Sequence, residues 1–331
     1  MKKENMKIKK TIQKSRIWEF CMVFCIMLML PVNISLIFSK KENSQIKSQD
    51  TMSEEESVSV KDVFKSSLEW AVLHELAGTI PIDYELETLK AQAIILRTNI
   101  LADQALADQI REDSSSSNRD ERKEIDRPIL LYAYRDVWGE DYEKNCEKLY
   151  EAVIQTRGMY LEKDHEPMHA SYFRLSNGST RNASECMEGD YPEYPAVECR
   201  KDLMSQDFLK RKEIDGITFA EKISSMTGQT ISYEQLKETE VIYLDDSAGY
   251  VLEINIGGER IGGEIFRQAF SLPSSDFYIT YEGENVWIET KGIGTGIGFC
   301  QYGANEMAKE GEDFLNLLEY FFTNIAISKT E

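Results

Sequence analysis

Catalytic proton transfer takes a carboxyl or imidazole held partly out of water, and such groups are few in this chain of 331 residues. Glu75 is the first candidate. It lies three positions beyond Val72 on the stripe Val60, Phe64, Leu68, Val72, so helical spacing turns it toward an apolar face. A carboxyl there loses hydration and its pKa rises into the range of a general acid. The alternative is that Glu75 sits at a frayed helix end and meets water, and spacing leaves both readings open. Of the histidines, His74 lies about 100° around the helix from Glu75 and reads as a surface or supporting residue. His169, Cys186 and Cys199 carry zinc-ligand chemistry, but their gaps match no compact zinc motif. A protein without cofactor is expected, zinc on these three residues being the alternative, and a Cys186–Cys199 disulfide is favoured for the two thiols, two free thiols being the alternative. Cys146 falls on the apolar face of a helix and reads as a core thiol. No G-x-S-x-G or C-x-x-C occurs, and Cys300 has no histidine near it in sequence.

These groups need elements to hold them. In "KGIGTGIGFCQYGANEMAKEG", from Lys291 to Gly311, glycines alternate at 292, 294, 296 and 298. Neither G-x-G-x-x-G nor G-x-x-x-x-G-K-[ST] fits the run, so it is not a phosphate cradle. It reads as a tight backbone passage into a helix that begins near Ala304.

Charge divides the chain. Residues 1–17 hold seven Lys and Arg against one acid, whereas the part after residue 38 holds 31 against 56. An acidic body disfavours nucleic acid as a partner. Between the two parts, "FCMVFCIMLMLPVNISLIF", Phe20 to Phe38, has no charge and is long enough to span a bilayer. The expectation is a basic cytoplasmic tail at 1–16, a membrane helix at 17–38, a linker at 39–57 and an extracytoplasmic domain at 58–327. In that domain, helical periodicity runs through "SVKDVFKSSLEWAVLHEL", through a segment starting near Asp83, and over about 141–157. Residues 111–127 read as an exposed charged loop. β-branched and aromatic runs follow, among them "YVLEINI" and "DFYITYEGENVWIET", with "INIGGERIGG" as a hairpin tip; "ANEMAKEG" and "EDFLNLLEYFF" close the chain as helices. The fold class is α+β, with helices at both ends of a central antiparallel β region.

Three blocks, in order, resemble one family. "LEWAVLHELAGTIPIDYELETLKAQAIILRTNIL" is similar to the signature of stage II sporulation protein D and the related amidase-enhancer domain, with Leu89, Lys90, Ala91, Gln92, Ala93, Arg97 and Thr98 on the run A-L-K-A-Q-A-x-x-x-R-T. "AVIQTRGMYLEKDHEPMHASYFRLSNGSTRNASE" resembles its middle segment, and the glycine stretch resembles G-x-G-H-G-x-G-x-S-Q-Y-G-A. The resemblance implies a lytic transglycosylase of sporulation that acts on peptidoglycan strands alongside other wall hydrolases and membrane proteins. It puts Glu75 at the catalytic acid, and Lys90, Arg97, Ser176, Thr180, Gln301 and Tyr302 among substrate contacts. It also shows departures: the family His is Thr295, its Ser is Cys300, and the proline after the first helix is Ala77. A weakly active or inactive homologue that binds glycan or enhances a wall amidase is the alternative.

Overall fold

The computed structural model describes residues 67–113 and 129–330. The tail 1–16, the apolar segment 17–38, the linker 39–57 and most of the stretch 111–127 lie outside the described residues. Among the described residues no helix is long and apolar enough to cross a membrane.

Two helices frame the N-terminal part, α1 at Ser67–Thr79 and α2 at Leu86–Asp113. Residues 111–113, expected in a loop, are the last turn of α2. α2 is apolar on two sides. Leu89, Ala93 and Leu96 pack with Val72, Leu73 and Leu76 of α1 and with Leu149 and Val153 of α3, Tyr142–Gln155. Ala91, Ile94 and Ile95 enter a second cluster with Leu161, Phe173, Phe299, Leu317 and Phe321. A helix buried on both flanks is fixed in rotation, and with it every polar side chain it carries. Cys146 is buried on α3, as its spacing predicts.

One ion pair locks α1 to α2. Arg97 is fully buried and donates through Nε and Nη2 to the two Glu69 oxygens, at 3.0 and 2.7 Å. Its Nη1 reaches the Met159 carbonyl at 3.0 Å, and the Gly158 N–H donates to Glu69 at 3.1 Å. Every strong partner of the pair is inside the protein, which is how two charges survive burial.

Among the described residues the strands pair antiparallel except at one two-residue contact, and an isolated parallel bridge joins Ser274 to Gly294. β1, Met159–Lys163, pairs with β2, Glu166–Pro167, on one side and with the last strand, β11 at Ala326–Lys329, on the other. β3, Tyr172–Phe173, lies parallel to β10, Phe299–Cys300. β4, Leu209–Asp215, pairs along its length with β9, Asn285–Lys291, which forms a hairpin with β8, Asp276–Glu282. A second meander joins β5, Ile242–Asp245, β6, Val251–Ile256, and β7, Glu259–Gly262. The hairpins read from sequence are present. Besides a single turn at Ala183–Cys186, three helices of the described residues fall inside this region rather than at its ends: α4 at Gly216–Thr227, α5 at Tyr233–Glu238 and α6 at Gly263–Ala269. α4 is capped by Asp215, whose side chain accepts from the Thr218 N–H, and stops at Gly228 in the left-handed region. Phe219 and Phe266 bind α4 and α6 to the sheets through a third cluster with Ile254, Phe277 and Ile288. Helices α7, Gln301–Lys309, and α8, Phe314–Phe321, follow, α7 starting three residues earlier than the sequence indicates.

The glycine run is a close passage against the protein's own backbone. Gly292, Gly294, Gly296 and Gly298 all have positive φ, from 74° to 111°. A Cβ on Gly298 would lie 2.2 Å from the Ser171 carbonyl oxygen, and one on Gly292 2.7 Å from that of Leu175. Only glycine combines this conformation with this approach.

Two stability outcomes follow. Arg97→Met leaves Glu69 buried without its cation and should lower unfolding free energy by about 3–5 kcal/mol, whereas Arg97→Met with Glu69→Leu should restore most of the loss; urea unfolding of the four-member cycle measures it. Gly298→Ala should cost at least ~2 kcal/mol, because strain and overlap act together, and a melting temperature within about 2 °C of wild type would contradict the passage as described.

Candidate functional site

The Glu75 side chain is exposed on the penultimate turn of α1. The buried face of α1 is Glu69, Val72, Leu73 and Leu76, with Ile80 just past its end, so Glu75 lies at its margin rather than in its middle. Nor is the helix frayed there: it continues to Thr79, whose hydroxyl donates back to the Glu75 carbonyl at 2.8 Å. The carboxyl therefore meets solvent from a rigid turn. Its pKa is raised, first by partial desolvation against the protein surface and then by repulsion from Asp103 on α2. The side chain is thus exposed to water yet partly desolvated by the groups beside it.

Two further residues complete that setting. Tyr172 of β3 is partly buried, and its hydroxyl pKa is raised by burial and by the Glu75 charge. His169 Nδ1 stands 3.8 Å from Asp103 Oδ1, both side chains being largely exposed. Asn99, one turn before Asp103, grips the intervening backbone: its Nδ2 donates to the Ala170 carbonyl at 3.0 Å and its Oδ1 accepts from the Ala170 N–H at 2.7 Å. α2 thus sets the position of the His169–Tyr172 segment relative to Glu75. Asp103, Tyr172 and Asn99 carry no motif of their own; the spacing of Asn99 and Asp103, four apart on α2, is the one local signal that they share a face.

The other residues expected to touch substrate are mostly committed elsewhere. Arg97 is closed inside the pair with Glu69. Lys90 is buried, bonded to Glu87 Oε1 at 2.6 Å and lying over the Phe314 ring. Ser176 is fully buried and donates to Asp202 Oδ2 at 2.7 Å, and the buried Thr180 bonds the Pro195 carbonyl and the Val197 N–H. Instead of lining a groove, this turn fastens the 193–202 loop. Gln301 is buried too, donating to the Thr79 carbonyl at 2.9 Å and to Gln92 Oε1 at 3.2 Å, so it joins the end of α1 to α2 and α7. Tyr302 differs. It is partly buried against the cluster of Val72 and Leu76, beside which Tyr172 also packs, and its N–H bonds the Arg174 carbonyl. Thr295 is exposed, its carbonyl accepting from Arg181 at 3.4 Å.

The cysteine expectations are corrected. Cys146, Cys186, Cys199 and Cys300 are all free thiols, so Cys186 and Cys199 do not pair. The Cys186 sulfur faces the carbonyls of Asn182 and Ala183 on its own turn, at 3.7 and 3.6 Å. His169 faces Asp103, and Cys199 lies with Asp202 and Cys300; a site made of His169, Cys186 and Cys199 does not assemble.

The family model described as stage II sporulation protein (SpoIID) matches residues 56–162, which include α1, α2 and Glu75. Stage II sporulation protein D of Bacillus amyloliquefaciens is 28% identical over 271 residues, 80% of this chain and 75% of the relative. That of Bacillus subtilis is 27% identical over 280 residues, with the same coverage. An uncharacterised protein of Brachyspira hyodysenteriae is 24% identical over 84% of this chain and 69% of its own length. The family match spans the helix pair that carries Glu75, and the two Bacillus relatives align with four fifths of the chain, so the chain is similar to stage II sporulation protein D over most of its length.

Proposed function

We propose that the protein is a peptidoglycan lytic transglycosylase of sporulation, with Glu75 as its acid and base. The observation that carries this reading is the Glu75 carboxyl itself, reachable by a large polymeric substrate yet held at a raised pKa by desolvation and Asp103. The names of the two Bacillus relatives support the sporulation setting. Membrane anchoring through residues 17–38, with the acidic domain outside, is part of the proposal and rests on the uncharged run and its basic flank.

The protonated carboxyl donates to the oxygen linking N-acetylmuramic acid to N-acetylglucosamine, and the bond to the muramyl anomeric carbon breaks. The carboxylate left behind takes the proton of the muramyl C6 hydroxyl, whose oxygen closes the 1,6-anhydro ring. Glu75 ends as it began, and no water is consumed. A single carboxyl serves both steps, in contrast to the pair used for glycoside hydrolysis. Tyr172 and Tyr302 offer aromatic faces to sugar rings on the surface near α1.

A second reading is a glycan-binding or amidase-enhancing homologue with little turnover. It is favoured by the burial of Lys90, Arg97, Ser176, Thr180 and Gln301, and by Thr295 where the family pattern has histidine.

The purified full-length chain, incubated with glycan strands, should release 1,6-anhydromuramyl ends, and Glu75→Gln should slow release by about 10²–10⁴-fold. Products formed equally by Glu75→Gln would remove Glu75 from the chemistry; saturable binding without products would select the second reading. The pH dependence has a definite sign. Activity needs the protonated carboxyl, so it falls as pH rises through a pKa displaced above 4.5. Asp103→Asn removes the repulsion that disfavours ionisation, so the falling limb should move to lower pH. A shift to higher pH, or none, would separate Asp103 from the acid.

A further inference from the structure

Cys199, Asp202 and Cys300 bring two sulfurs and a carboxylate oxygen within 4.8 Å of one another, and all three side chains are buried. They come from two parts of the chain. Cys199 and Asp202 flank the start of a short 3-10 turn at Arg200–Met204, and Cys300 ends β10 as the residue that caps α7. The carboxylate is half satisfied. Its Oδ2 accepts from the Ser176 N–H and hydroxyl, at 2.8 and 2.7 Å, and from the Cys300 thiol at 3.0 Å. Its Oδ1 has no hydrogen-bond partner among the described residues, although Asp202 is 0% exposed. An orphaned carboxylate oxygen at such depth costs several kcal/mol unless a cation or proton meets it.

The space in front of that oxygen is kept clear. Gly303, one turn into α7, presents no side chain; a Cβ there would sit 3.2 Å from Asp202 Oδ1 and 3.3 Å from the Cys199 sulfur. Beyond it opens a pocket of about 250 Å³ lined by Cys199, Asp202, Gly303, Met307, Tyr320 and Phe321.

We propose that Cys199, Asp202 and Cys300 bind one zinc ion. Two thiolates and a carboxylate suit zinc among the common divalent ions, and tetrahedral bonds of about 2.3 Å place two sulfurs about 3.8 Å apart, inside the spacing seen here. Three protein ligands leave the fourth position to a water on the pocket side. Binding replaces the two thiol protons, which pass to solvent, and changes no oxidation state. The ion ties the 199–204 turn to the first turn of α7, immediately behind Gln301. Its role is to hold the backbone that carries Gln301 and Tyr302, and it stands apart from the proton chemistry assigned to Glu75.

The test uses the full-length chain with Cys21→Ser and Cys25→Ser, purified under reducing conditions and titrated with zinc against a chromophoric chelator. One zinc per chain is expected, with affinity reduced at least ~100-fold in Cys199→Ser and in Cys300→Ser and unchanged in Cys186→Ser. Cobalt loading of the parent chain should give a thiolate charge-transfer band, and stripping the metal should lower the melting temperature; these two readings hold even where a variant fails to fold. Absence of stoichiometric zinc overturns the site, as does equal affinity in folded Cys300→Ser or a missing cobalt–thiolate band. Mass analysis without reductant supplies the rival outcome, a Cys199–Cys300 disulfide in protein purified without reductant, which would likewise refute it.

Discussion

A carboxylate and a guanidinium taken out of water each lose several kcal/mol of hydration, and the loss is recovered only if both find a full set of partners in one geometry. Glu69 and Arg97 do so. The fork of Arg97 matches both Glu69 oxygens, its remaining nitrogen takes a carbonyl of β1, and Glu69 also accepts from the backbone at Gly158. The arrangement cannot slide by a residue, because a shift along either helix would strand a charge in the core. α1, α2 and the entry to β1 are therefore held in one register, and the projection of Glu75 from α1 is held with them.

From that register the rest of the site is built outward in layers of decreasing burial. α2 carries the apolar flanks that unite two cores, then Asn99, which pins Ala170, then Asp103 at the surface. The glycine passage supplies the opposite wall. Gly292, Gly294 and Gly298 let the chain run against 171–176 while Gly296 passes Tyr250 and Arg181, which brings Gln301 to the end of α1 and Tyr302 to its flank. Most of the polar residues shared with the family pattern work inside this frame. Such residues bear on a reaction through the positions they fix, and a one-ångström error there is expensive in rate.

Much of this was legible in sequence wherever a local pattern has one physical solution. The stripe of Leu89, Ala93 and Leu96, the Gly257–Gly258 turn and the alternation in β8 and β9 each admit only one compact reading. The glycine run announced a close approach, although not which chain segment would be approached. Illegible were features whose meaning is set by distant partners. Glu69 and Glu75 lie six positions apart on α1 with similar neighbours; one is buried with Arg97 to meet it, the other is exposed with Asp103 as its charged neighbour. β4 reads as a charged run, since a strand exposed along its length needs no apolar alternation and its charges protect a sheet edge. α4 lay among runs read as strands, and its helical spacing shows only once Phe219, Ala220 and Ile223 are seen to face one core. The proximity of the Cys199 thiol to Cys300 rather than to Cys186 goes with the return of β10 beside β3, which no spacing rule encodes.

The pairing of β1 with β11 has a further meaning in time. Leu161 lies opposite Ile327, and the Thr330 N–H bonds the carbonyl of Gly158, whose own N–H holds Glu69. Closing so long a loop is among the slow steps of folding, because its entropy is lost before its contacts form. The buried charge pair beneath Glu75 is thus sealed by a strand synthesised long after the two helices that hold it. A growing chain can form α1 and α2 early, yet it presents a properly seated carboxyl only after the β region and closing helices have come home. Competence waits on β11, so fragments released before it is made would leave the helix pair without the strand that shuts it.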